Sequence, residues 1–148
     1  MGWLNRLMGY PDLDPTGTST ELFKKVAQQA ITMYSRGDVE RSMNHLKELM
    51  ATASRTYGEY HADVGRSALL MAVLMIMSRE ESAALYLCES AVQVLQENKE
   101  VAPRDLDAAV LLQSGLERIV ENQRPVEDDG YLLVYGTPIG EWLRSCKS

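Results

Sequence analysis

The sequence predicts an all-α chain, a short solenoid of helical hairpins with extended N- and C-terminal arms, and three observations carry that reading. A weak echo recurs at a spacing of 42 residues: Ala30 returns as Ala72 and Ser114, Met33 as Met75, Ser42 as Ala84, and Val26 as Ala68 and Val110. Self-similarity at that period marks stacked helical hairpins, in which small or apolar residues recur where helices touch. Ala, Leu, Met, Glu and Gln outweigh Thr, Ile, Phe and Trp in the periodic part, which favours helix over strand. At 148 residues, with 45% hydrophobic and 24% charged side chains, the chain has ordinary globular composition and can bury about 70% of its unfolded surface.

Residues 1–17 read as an N-terminal arm, residues 18–124 as the helical domain and residues 125–148 as a C-terminal arm. In the first arm Leu4, Leu7 and Met8 share one side of a short helix before Pro11, Pro15 and Gly17 interrupt it. One Arg and no Lys give that stripe little attraction to lipid headgroups, which favours docking on protein. The first helix opens at Thr18, with Glu21 completing a capping box, and runs to about Ser35 through Leu22, Val26, Ala30 and Met33. Gly37-Asp38 makes a tight turn, Gly supplying a permissive backbone and Asp the next cap. The second helix runs from Val39 to about Thr56, antiparallel to the first.

Tyr57 to Asp63 forms a linker, and Asp63 is placed to cap a third helix that contains Ala68 to Met77. That stretch is apolar all the way round, so it belongs at the centre of the stack. Ser78 and Glu81 repeat the capping-box spacing before a fourth helix through Ala84, Leu87, Cys88, Ala91, Val94 and Leu95. Pro103 opens a fifth, through Leu106, Ala109, Val110, Leu112, Leu116, Ile119 and Val120. After Pro125, the acidic turn Glu127 to Gly130 precedes Tyr131 to Gly136, the one β-like stretch of the chain. It reads as extended packing on the helices or as an edge offered to another chain. A short helix after Thr137-Pro138 carries Ile139, Trp142 and Leu143.

From Phe23 to Ile119 the chain resembles tetratricopeptide (TPR-like) repeats of the long kind found in kinesin light chains. Tyr57-Gly58-Glu59-Tyr60-His61-Ala62-Asp63-Val64 is similar to their Gly-x-x-His-x-x-Val linker, and Ser67 to Leu74 to the alanine- and leucine-rich helix that follows. Gly37 stands at the interhelix turn of the first repeat, whereas Arg79 stands there in the second. The resemblance implies a right-handed solenoid whose first helices line a groove for a partner's peptide or helix. Carried over by position, that groove contains Lys24, Ala27, Ile31 and Tyr34, then Arg66, Leu69, Val73 and Ile76, and finally Leu111 and Arg118. It would be mainly apolar with basic edges. Ile31 stands where carboxylate-clamping members have asparagine, which disfavours recognition of a chaperone tail. Leu69, Val73 and Ile76 read equally well as core.

Function classes narrow from the same residues. A net charge of -6 and no clustered Lys or Arg on any expected helix face disfavour nucleic acid and anionic membrane as partners. The longest apolar run, Ala68 to Met77, is about half the length of a membrane-spanning helix. Cys88 and Cys146 are too few for a disulfide framework and suit a reducing, cytoplasmic setting. The two histidines, His45 and His61, have no carboxylate or cysteine at ligand spacing, so neither a metal nor another cofactor is expected. No nucleophile elbow or phosphate loop is present, and a catalytic pocket would have to form around His61. The expected function is therefore non-catalytic: a protein-protein interaction module, an adaptor or accessory subunit, with self-association through the β-like segment or the open end of the stack also open. The alternative is a small acidic chaperone for a secreted or assembling client, similar in scale to those of bacterial secretion systems.

Overall fold

The computed structural model describes residues 21–122 and 138–147. They form six helices, α1 (Glu21–Ser35), α2 (Val39–Tyr57), α3 (Ala62–Met77), α4 (Glu81–Gln96), α5 (Pro103–Asn122) and α6 (Pro138–Lys147), with no strand among the described residues. The N-terminal arm, the Thr18 cap and the β-like stretch 131–136 lie outside them. No described helix is long and apolar enough to cross a membrane.

Each of α2 to α5 packs on the helix before it, α1 also reaches α3, and α6 packs against both α5 and α1. In α1, Phe23, Val26, Ala27 and Ala30 form one buried stripe, and in α2 Met43, Leu46, Leu49 and Ala53 form another. Buried Ser42 fits their seam because its hydroxyl donates to the Ala30 carbonyl at 2.7 Å. Every residue from His61 to Leu74 is buried, so α3 occupies the centre, as its apolar circumference predicts. Gly65 allows α4 to approach it: a Cβ there would lie 2.7 Å from Leu95 Cγ.

The 42-residue echo is visible in the backbone. At the end of α1 the Gly37 amide donates to Tyr34 and the Asp38 amide to Met33; at the end of α3 the Arg79 amide donates to Ile76 and the Glu80 amide to Met75. This is one C-terminal motif made twice, with a left-handed residue at its centre, Gly37 at φ 86° and Arg79 at φ 61°. Ser42 and Ala84 then donate to Asp38 and Glu80, which starts α2 and α4 alike. The echo stops there. Ala30 and Ala72 are buried, but Ser114 and Val110 are exposed, and α5 buries Ala108, Ala109, Leu112 and Leu116 instead. A nineteen-residue α2 becomes a sixteen-residue α4, and the loop after it lengthens from 58–61 to 97–102, which moves the register.

Three expected caps are built differently. Asp38 occupies the N-cap of α2 without a side-chain cap bond, and its carboxylate pairs with Arg41 instead. His61, not Asp63, caps α3, its Nδ1 accepting from the Asp63 amide at 3.1 Å. Ser78 closes α3 rather than opening α4, donating its hydroxyl to Leu74 and bonding the Tyr34 hydroxyl at 2.8 Å.

Candidate functional site

The starts of α3 and α5 meet at a buried cation. Arg66, in the second turn of α3, is 2% exposed and lies on the side of the helix where Asp63 sits one turn earlier. Its Nη1 meets Asp63 Oδ1 at 2.8 Å and its Nε meets Asp105 Oδ2, in the first turn of α5, at 3.0 Å. Both carboxylates stand in the first turns of their helices, where the helix dipole favours negative charge. The second oxygen of Asp105 accepts from the Trp142 indole N–H of α6 at 2.7 Å. Trp142 in turn faces the Phe23 ring at the start of α1, with ring centres 6.3 Å apart. Trp142, Leu143 and Cys146 are the buried face of α6.

The electrostatics of this cluster follow from burial. Desolvation pushes the Asp63 carboxyl above its ordinary 3.8, against the pull of the Arg66 hydrogen bond and charge. Burial, with Asp105 nearby, raises the Cys146 thiol to about 12, and burial with Glu89 and Glu117 nearby does the same to Cys88. Both remain neutral thiols near neutral pH, poor nucleophiles and poor metal ligands. Cys88 instead donates to the Ala109 carbonyl at 3.2 Å, joining α4 to α5.

Of the ten residues placed in the groove, the structure leaves few available to a partner. Ala27, Leu69, Val73 and Ile76 are buried core, because α3 is enclosed on all sides and α1 turns Ala27 into the body. Arg66 is no basic edge but the centre of a buried ion network. Ile31 and Tyr34 are partly buried against the core. Lys24, Leu111 and Arg118 are exposed, Leu111 at 45% with Val110 beside it at the same value. The sequence suggests no more for Asp105 than a first-turn acid or a solvated face, and no site role for Phe23. The i,i+3 spacing could have paired Asp63 with Arg66, whereas nothing local joins Arg66 to an Asp 39 positions away.

A depression lined by Ser54, Tyr57, Gly58, Glu59, Tyr60, His61 and Asn98 surrounds the histidine on which a catalytic reading would depend. His61 stacks on Tyr57 with ring centres 5.3 Å apart while its Nδ1 caps α3. Asn98 donates to the Tyr60 and Val94 carbonyls at 2.6 and 3.0 Å, tying the loop after α4 to the loop after α2. These polar groups hold two loops together. Among the described residues no group of three or more His, Cys, Asp or Glu is placed to hold a metal ion. No family model matches the chain, and neither a curated protein nor a solved structure is similar to it.

Proposed function

We propose that this protein is a non-catalytic interaction module, a short TPR-like stack that holds a helical segment of a partner protein against its first helices, as an adaptor or an accessory subunit. One observation carries the reading. A ten-residue helix, α6, packs against α1 and α5 through Trp142, Leu143 and Cys146, so the first helices of the hairpins already receive a short amphipathic helix. Affinity for a partner would come from apolar burial, with exposed Lys24 and Arg118 biasing encounter toward acidic segments.

The test is capture from native lysate with the full chain and with a Lys24→Glu, Leu111→Glu, Arg118→Glu variant. All three positions are exposed, so the variant should keep its helical circular dichroism. A protein retained by the unmodified chain and lost with the variant supports the module; a binding profile the variant leaves unchanged overturns these residues as its contact surface.

A further inference from the structure

We infer that α6 is a displaceable plug, and that the site beneath it takes an external helix of the same chemistry: an indole N–H donor, followed by apolar groups one and four positions later. This rests on the interaction-module reading and specifies its site, its ligand and its control.

The site under α6 combines two unlike parts. Phe23 supplies an aromatic wall. Asp105 supplies a carboxylate, held by Arg66 through Oδ2 so that Oδ1 is presented to the indole. A carboxylate at the edge of an apolar site is costly without a donor, so the site discriminates in favour of helices that bring one. On α6 the donor is Trp142, and the flanking apolar groups are Leu143 and Cys146, one and four positions on along the same face.

The plug is weakly built. A ten-residue helix is below the length at which isolated helices hold together, so α6 depends on its docking. Between α1 and α5 it is seated through one narrow buried face, and its Trp142 indole donates to Asp105. α1 to α5 supply most of the one continuous core, to which α6 adds Trp142, Leu143 and Cys146 beside α1 and α5. The sequence joining α5 to α6, residues 123–137, keeps the helix attached, so a docked α6 competes at high effective concentration and a partner must displace it. Partner binding is thereby gated by the chain itself.

The test uses a fluorescein-labelled synthetic peptide of residues 136–148 and three full-length chains: unmodified, Trp142→Ala, and Leu143→Asp as an independent way to release α6. Fluorescence anisotropy should show the peptide binding each variant at least about tenfold more tightly than the unmodified chain, whose site is filled. Adding Asp105→Asn to Trp142→Ala should remove most of that gain. Equal affinity for all chains, or no binding to any, overturns the inference. So does loss of cooperative helical melting in both single variants, which would make α6 part of the frame. A dimer of the unmodified chain that Trp142→Ala abolishes also overturns it, in favour of exchange of α6 between two copies. Failure here leaves the exposed α5 contacts of the module untouched, and loss of captured partners leaves the peptide result untouched, so the two readings fail separately.

Discussion

Arg66 shows what a single residue does in a buried setting. Its guanidinium satisfies two carboxylates in a region where an unpaired charge is far more costly than on the surface. Arg66→Ala should destabilise the fold by about 3–5 kcal/mol in urea unfolding at neutral pH, because Asp63 would be left buried without its cation. The pH dependence has a definite sign. Asp63 holds its proton to a higher pH in the folded chain than the 3.8 of the unfolded one. Its contribution to stability is therefore full below 3.8 and is lost as pH rises through the folded value. Asp63→Asn should accordingly gain stability relative to the unmodified chain as pH rises across that window in a series of thermal melts. At Gly65 two effects oppose. Alanine is better than glycine in a helix by about 1 kcal/mol. A Cβ at 2.7 Å from Leu95 Cγ and 3.2 Å from Val94 Cγ1 overpacks the α3–α4 contact, which costs about 1–3 kcal/mol. Gly65→Ala should therefore lower the melting temperature despite its better propensity. The i,i+3 spacing of Asp63 and Arg66 is visible in the sequence, yet the sequence reading made one a cap and the other a groove edge, and the rest of the network comes from α5 and α6 through packing alone.

At the scale of elements, the chain makes one turn twice with different residues. Gly37 and Arg79 sit 42 positions apart in the same hydrogen-bonded motif, both with positive φ. The left-handed region penalises a residue with a Cβ by about 1–2 kcal/mol and leaves glycine unstrained. Nothing lies within 4 Å of a Cβ built on Gly37, so the cost of adding one is backbone strain alone. Gly37→Ala should thus destabilise by about 1 kcal/mol, while Arg79→Gly should stabilise by a similar amount. Opposite signs in paired denaturant titrations would establish that the two turns are one device; equal signs would separate them. Element positions were read well from the sequence because helical spacing and the Gly37 and Pro103 signals are local. The caps were read less well: Asp38, Asp63 and Ser78 each have the right chemistry, yet each side chain finds a different partner. Capping boxes are a statement about sequence, and competing hydrogen bonds decide which oxygen is used.

For the whole molecule, the echo at 42 residues was a sound guide to the first two hairpins and misleading for the third. It paired Ser114 with Ala30 and Ala72, whereas α5 exposes Ser114 and buries Leu112, since the second hairpin differs from the first in helix and loop length. Five of the groove residues, Ala27, Arg66, Leu69, Val73 and Ile76, lie in the interior instead. Residues 61–74 are buried throughout, and α1 turns Ala27 into the body, so positions expected to face a groove face core. The docking of α6 was beyond sequence reasoning, because an amphipathic ten-residue helix specifies that it must bury a face and not where. That arrangement predicts unequal local stability. Every residue of α3 from Ala62 to Leu74 is buried, so the amides there should open only when the body unfolds, whereas the short α6 packs chiefly against α1 and α5 and should open separately. In native-state hydrogen exchange the amides of Leu69 to Leu74 should open at the global free energy and follow denaturant with the full unfolding slope. Those of Trp142 to Cys146 should be at least about 100-fold less protected, a gap of about 2.7 kcal/mol, with a shallow denaturant dependence. Trp142→Phe keeps an aromatic ring near Phe23 but removes the donor to Asp105, so it should widen that gap while leaving α3 protection nearly unchanged. Protection that falls equally in α3 and α6 would instead mean that the six helices unfold as one unit, with the indole hydrogen bond belonging to the frame.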